Sequence, residues 1–383
     1  MGNIRDRVAV IGTGCSKFGE NYNMSIEDMI VEAGFEALQD AKVEPKRIEA
    51  AWVGTLNSAF AGTSLGDALK IQNVPISRCE NYCASGMDAF RNACFAVASG
   101  MYDVVLTLGF EKLKDSGARG LASTRLHPLL AWGVTAPNLF AFAANRHMHK
   151  YGTTKKQLAL VAVKNHHNGA LNKKAHFQME VDIETVLNAP LISSPLGLYD
   201  CCPTTDGAAA AVICRADIAR SFRDDYVLVK GLGLAVTSGA PYFQPGFEYD
   251  GFPATTLAAK QAYEQAGIKN PLEEIDVAET HDCFTITEIL NYEDLLFVEK
   301  GKGARFIEEG HSALGGKLPV NPSGGLKSSG HPIGATGVRM IYEITRQLQH
   351  RMAGRQVKNA QVGLAHNLGG PGAVGCVTIL ANP

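Results

Sequence analysis

The feature that most constrains this chain is that its second half restates its first. Val227-Leu228-Val229-Lys230-Gly231-Leu232-Gly233 echoes Val8-Ala9-Val10-Ile11-Gly12-Thr13-Gly14. The helix expected over Thr255–Ala266 and the strand over Ile275–Glu279 echo a helix ending at Ala41 and a strand at Ile48–Val53. A repeat this long implies a duplicated α/β unit, not a solenoid. Two such sheets are expected to pack side by side around shared helices. The first unit begins with a buried strand ending in Gly12-Thr13-Gly14, where Lys17 takes the third glycine position of a dinucleotide fingerprint and so excludes one. Ser25 with Asp28 reads as a capping box opening the helix to Ala41.

The repeat aligns two loops that each open a helix. One is Glu80-Asn81-Tyr82-Cys83-Ala84-Ser85-Gly86, followed by small and apolar residues at helical spacing up to Gly100. Its counterpart is Gly330-His331-Pro332-Ile333-Gly334, opening a helix over Val338–Leu348. The strand Asp103–Gly109 corresponds to Gln361–Ala365, which runs into His366-Asn367-Leu368-Gly369-Gly370. A two-fold between the halves turns both helix starts toward one place. At a helix start, free N–H groups and the helix dipole favour a thiolate and can receive an oxyanion. Cys83 therefore reads as a nucleophile, the alternative being a buried small hydrophobe. His281-Asp282-Cys283-Phe284, after the strand at Ile275–Glu279, completes a set of four loops at matching strand ends. Each loop has a plain structural alternative, and their coincidence is what favours chemistry. His147, His149, His166 and His167 lie on polar helical stretches and read as surface residues without carboxylate partners.

With those loops in view, the chain resembles the thiolase superfamily over nearly its whole length. Within it, the similarity is to the sterol-carrier-protein-type branch with its archaeal and bacterial relatives. The motifs that carry it are Cys83-Ala84-Ser85-Gly86, the HDCF sequence at His281–Phe284, Asn321-Pro322-Ser323-Gly324-Gly325 and the GHP sequence at His331. The resemblance implies a layered αβαβα fold with an inserted loop domain over the active site. The expected division is an N-terminal half (1–111 and 204–224), the insertion (112–203) and a C-terminal half (225–383). It also implies Cys83 as nucleophile, His281 and His331 as imidazoles at the reacting centre, and Gly370 as a backbone donor. The acid/base cysteine is expected at Cys283, because the position of the usual C-terminal one is Leu368. Cys376, in the last strand, reads as core.

The implied reaction is CoA-dependent cleavage of a 3-oxoacyl-CoA, or the reverse condensation, through a cysteine acyl-enzyme. Within thiolases, a narrower expectation is the subunit that cleaves 2-benzoylsuccinyl-CoA to benzoyl-CoA and succinyl-CoA, with the aromatic segment Tyr242–Phe252 lining an acyl pocket. Alternatives are a condensing enzyme like HMG-CoA synthase or a ketosynthase, disfavoured by Cys283, and a non-catalytic acyl-CoA-binding scaffold subunit. CoA is expected as co-substrate, with no permanently bound cofactor; its contact residues are not legible. A homodimer or dimer of dimers is implied, with a small partner of OB fold and zinc ribbon. Composition adds exclusions. A net charge of −2 carries no nucleic-acid signal, and no apolar run reaches membrane-spanning length. Nine cysteines without a CxxC pair argue against a disulfide framework and against a zinc site. The start Met1–Asp6 has no signal-peptide core, so a cytoplasmic setting is expected.

Overall fold

A computed structural model describes residues 3–115, 135–238 and 244–383. Strand β1 (Val8–Cys15) is buried along its whole length. Helix α1 (Ile26–Ala41) begins at the expected box: the Ser25 hydroxyl accepts from Asp28 N–H, and the Asp28 carboxylate accepts from Ser25 N–H. Its apolar stripe, Met29, Ala33, Ala37 and Ala41 among others, covers β1. The contact is so close that a Cβ on Gly14 would lie 2.1 Å from Ala33 O. The second half repeats the device, with α6 (Pro253–Ala266) over β6 (Val227–Val236) and a Cβ on Gly233 falling 1.9 Å from Ala258 O. Both Gly-x-Gly pairs therefore let a helix lie flat on a strand. The strands do not end there, as the sequence pattern suggested, but run on through the glycines.

The remaining strands are β2 (Ala50–Gly54), β3 (Ile76–Cys79), β4 (Val104–Glu111), β5 (Gly207–Arg215), β7 (Val277–Thr280), β8 (Val362–Gly369) and β9 (Val374–Ala381). Read outward from the middle, one half runs β1-β5-β4-β2 and the other β6-β9-β8-β7, with β3 added beyond β2. In both halves the first two pairings are antiparallel and the third parallel. The duplication is thus written in the hydrogen bonds. The expected pair of separate sheets is corrected: β1 and β6 pair antiparallel at Ala9–Leu228 and Val10–Val227, making one nine-stranded sheet. Over these two residue pairs the strands satisfy each other's free N–H and C=O groups inside the protein, where water cannot.

Helices α3 (Ser85–Ala98) and α9 (Ile333–Leu348) pack on each other and touch strands of both halves. Every residue of α9 except Arg346 is buried, as befits a helix enclosed on all sides. With α1 and α6 outside, the layers are αβαβα. The start of α9 is wedged tightly, since a Cβ on Gly334 would meet Gly54 O at 2.5 Å and Phe110 O at 2.6 Å. Gly334→Ala is expected to destabilise the protein by about 1–3 kcal/mol through overpacking, read as a lowered midpoint in denaturant.

Between the halves, α4 (Ala136–Tyr151) and α5 (Lys155–Ala170) are the two long helices described in residues 112–203, of which 116–134 lie outside the described residues. These helices pack on α7 (Thr285–Asp294) and α8 (Gly325–Ser329). Two of the histidines read as surface residues are buried instead, and a third, exposed as expected, has a carboxylate partner that was not expected. His147 is fully buried, 3.1 Å from Glu293 and 2.7 Å from Thr153 Oγ1. His166 is buried against the Met179 carbonyl, and His167, though exposed, pairs with Glu180. Only His149 is exposed with no carboxylate recorded beside it.

Candidate active site

A tight turn raises Cys83 at the start of α3. Asn81 N–H donates to Ser85 Oγ at 2.9 Å, Asn81 Nδ2 to Asp88 at 2.7 Å, and Ser85 Oγ to the Tyr82 carbonyl. Tyr82 takes a left-handed φ of 53°, uncommon for a bulky residue and characteristic of turns that present a functional neighbour. Cys83 follows, buried beside Leu113 and Ile333. The N–H of Gly370, itself at φ 59° just past β8, is close enough to its sulfur to favour the ionised form.

Cys83 and His281 stand 198 positions apart in the sequence, yet the fold closes the gap: donor atoms of Cys83, His281 and His331 all lie within 4.8 Å of one another. The two imidazole rings meet edge to face with centroids 5.0 Å apart. Their hydrogen bonds assign opposite tautomers. The Thr336 hydroxyl donates to Pro332 O and so accepts from His331 Nδ1–H at 2.7 Å, leaving a lone pair on Nε2, which has no partner among the described residues. Asn367 Nδ2 donates to His281 Nδ1 at 2.9 Å, which puts that ring's proton on Nε2. One imidazole is built to take a proton and the other to give a hydrogen bond.

Burial sets the charges. His331 is pushed down to about 3 by desolvation, then by the cations Arg339 and Lys327. His281 is pushed well down by desolvation and then by His331. The Cys83 thiol is pushed up to about 12, desolvation outweighing the N–H groups of Gly370 and Cys83. This corrects the thiolate expected from the helix start alone: the resting pair is a neutral thiol beside a neutral imidazole. Its proton moves only as the sulfur attacks.

Cys283 is buried, with its sulfur 3.7 Å from Thr287 Oγ1. Burial raises its pKa well above the usual thiol value, and Cys202 and Cys83 raise it further, so the three sulfurs feel one another's charge. The chain around Cys202 stitches the loops together. Cys201 bridges to Phe284, Cys202 N–H donates to Cys283 O at 2.9 Å, and Thr204 bridges to His331. Buried Lys327 donates to the carbonyls of Asp200 and Cys283. Asp282 turns away, accepting from the N–H groups of Leu326 (2.6 Å) and Lys327 (3.3 Å) at the start of α8, and is a clamp for that loop. Leu368 and Cys376 are both core residues.

The fold thus brings together Cys83, His281, His331 and Gly370, with Cys283 within electrostatic reach. Sequence reasoning missed Thr336, Cys202 and Lys327 and gave Asn367 no role. Cys202, Lys327 and Asn367 act on residues from other loops and so carry no local signal, whereas Thr336 stands one helical turn beyond His331 and its spacing could have flagged it. Thr336→Val removes the acceptor that holds the His331 tautomer and is expected to lower kcat by about 10²–10⁴-fold, with the far-ultraviolet circular dichroism unchanged.

A thiol with a neutral base on one side and backbone donors on the other is equipped for acyl transfer. Residues 8–217 match the family model described as thiolase, N-terminal domain, and residues 249–382 that described as thiolase C-terminal domain-like. The chain belongs to the thiolase family and is an acyltransferase of the thiolase type. It is 42% identical to an acetyl-CoA acetyltransferase of Methanothermobacter thermautotrophicus, over 98% of this chain and 99% of that protein. It is 34% identical to human sterol carrier protein 2, over 96% of this chain and 71% of that protein. Among solved structures, an Ltp2-ChsH2(DUF35) aldolase superposes with a TM-score of 0.88 at 26% identity, covering 100% of this chain and 99% of that one. A human mitochondrial 3-ketoacyl-CoA thiolase in complex with CoA shares the fold, at TM-score 0.73 and 16% identity, over 100% and 99% of the two chains.

Proposed function

We propose that the protein cleaves a 3-oxoacyl-CoA with CoA, or runs the reverse condensation, through an acyl-Cys83 intermediate. The observation that carries this is the meeting of Cys83, His281 and His331 within 4.8 Å with complementary tautomers. Cys83 gives its proton to His331 Nε2 as its sulfur bonds the 3-oxo carbon. The N–H groups of Cys83 and Gly370 hold the resulting oxyanion. As the oxyanion collapses, the C2–C3 bond breaks and its electron pair passes into a thioester enolate, held by His281 Nε2–H. Cys283 protonates C2 of that enolate, releasing the acyl-CoA that carries C1 and C2 and leaving the shortened acyl group on Cys83. The Cys283 thiolate then takes the proton of incoming CoA, whose sulfur displaces Cys83 from the acyl group. His331 returns its proton to the freed Cys83.

In this reading, residues 1–111 with 204–224, and 225–383, are the two catalytic halves, and 112–203 cover the CoA. The working form is a cytoplasmic homodimer or dimer of dimers, and the aldolase relative with its DUF35 component supports a small OB-fold, zinc-ribbon partner. No helix among the described residues is long and apolar enough to cross a membrane. Mass spectrometry after mixing with a 3-oxoacyl-CoA in the absence of free CoA should show an acyl adduct on the Cys83 peptide.

One observation favours an aryl acyl group such as that of 2-benzoylsuccinyl-CoA. A cavity of about 300 Å³, lined by Phe247, Phe252, Pro371 and Gly372 among others, begins one residue past Gly370. Phe140 and Tyr249 line a narrow crevice against the same wall, and Phe140 stacks on Phe284 at 4.6 Å, beside Cys283. The Phe247 and Phe252 side of this open cavity offers an aryl group apolar surface to lie against. Tyr242 and Phe243, expected in the same lining, lie outside the described residues. Phe252→Ala is expected to lower kcat/KM for an aryl 3-oxoacyl-CoA about tenfold while leaving acetoacetyl-CoA little changed. Equal losses on both substrates would return the assignment to short acyl chains.

A further inference from the structure

We propose that Cys83, His281 and His331 form a binding site for a thiophilic divalent cation of the zinc class, which closes the reaction centre while it is bound. One thiolate and two imidazoles are the ligand types such ions select, and the trio has no carboxylate that would suit calcium or magnesium. Tetrahedral zinc with a sulfur at ~2.3 Å and nitrogens at ~2.0–2.1 Å spaces its ligand atoms about 3.3–3.6 Å apart. The three donors, all within 4.8 Å, need close by only about an ångström to meet that spacing. Three protein ligands would leave a fourth position for water.

The groups behind the ligands suit the role. His331 is 1% exposed, and its Nε2 has no hydrogen-bond partner among the described residues, an orphan lone pair aimed into the site. Thr336 already holds that ring in the metal-binding tautomer. For His281, turning the Asn367 amide offers its buried, unpartnered Oδ1 to Nδ1–H and frees Nε2 as a ligand. Such hydrogen-bonded supports accompany nearly all ligating histidines. Binding forms a metal–sulfur bond and releases the Cys83 proton to solvent, with no change of oxidation state. It occupies the nucleophile and the His331 lone pair together. The absence of CxxC spacing does not bear on it, because these ligands meet only through the fold.

The test uses full-length protein dialysed against chelator and titrated with cobalt(II) chloride without oxygen. One equivalent should bring up a near-ultraviolet thiolate-to-cobalt charge-transfer band with tetrahedral d–d absorption, and zinc chloride should displace both. Cys83→Ala should abolish the charge-transfer band. Asn367→Ala should weaken zinc about 10–100-fold in competition with a chromophoric chelator. In the unaltered protein, one equivalent of zinc should stop iodoacetamide labelling of the Cys83 peptide, a readout that needs no variant to fold. A missing band, a band retained in Cys83→Ala, or undiminished labelling under zinc would each overturn the proposal. None of these readouts depends on turnover, so the site can fail while the acyl-enzyme experiment succeeds, and the reverse.

Discussion

Cys83→Ser is expected to abolish the acyl-enzyme and to lower turnover by at least about 10⁴-fold, the scale on which loss of a covalent nucleophile is felt elsewhere. A hydroxyl occupies nearly the same space, so the turn held by Asn81, Ser85 and Asp88 should persist and the variant should still fold and bind acyl-CoA. What it lacks is acidity. Even the thiol is pushed up to about 12 in this buried setting, and an alcohol stands higher still. The same pKa fixes a pH signature for the unaltered protein. Below about 12 the thiolate fraction rises tenfold per pH unit, so iodoacetamide labelling of Cys83 should climb with unit slope between about pH 7 and 10. A preformed thiolate–imidazolium pair would instead give a plateau across that range. His331, pushed down to about 3, should add no inflection there.

Cys283→Ala is expected to leave the first half-reaction standing and to stop the cycle. Acylation of Cys83 draws on His331 and the N–H groups of Cys83 and Gly370, none of which is altered. The enolate then has no proton donor and CoA no proton acceptor. Steady-state turnover should fall by about 10²–10⁴-fold, the usual worth of a positioned acid or base. Rapid quench should still trap stoichiometric acyl-Cys83. Full turnover in this variant would remove Cys283 from the mechanism, and loss of the adduct as well would make its role structural. The buried Thr287 beside its sulfur and the Lys327 contact to its carbonyl give the alanine a fixed backbone to occupy.

Much of the architecture was legible because the duplicated patterns are strong and local. The capping box at Ser25 and the helix start after Cys83 lie where the local pattern placed them, whereas the helix expected from Val338 already begins at Ile333 and the strand expected to end at Ala365 runs on to Gly369. Three readings failed for one reason: each asked a segment about its surroundings. The Gly-x-Gly pairs looked like strand ends because what presses on them is another helix. His147 and His166 looked exposed because α4 and α5 are polar, and their partners come from Glu293 and Met179. Cys83 looked like a thiolate because a helix start is a local feature, whereas desolvation is imposed by everything around it.

The amino-acid order alone determined the doubled α/β plan and the residue types at the turns carrying Cys83, His281 and His331, since periodicity, caps and turns act over a few neighbouring residues; the fourth expected loop, from His366, is strand β8 as far as Gly369. Only the tertiary structure decided that the halves share one sheet through β1 and β6, which imidazole holds a lone pair and which a proton, and that both thiols stay protonated. Those outcomes depend on Thr336 folding back onto His331, on Asn367 and Cys202 reaching groups in other turns, and on the exclusion of water from the whole cluster.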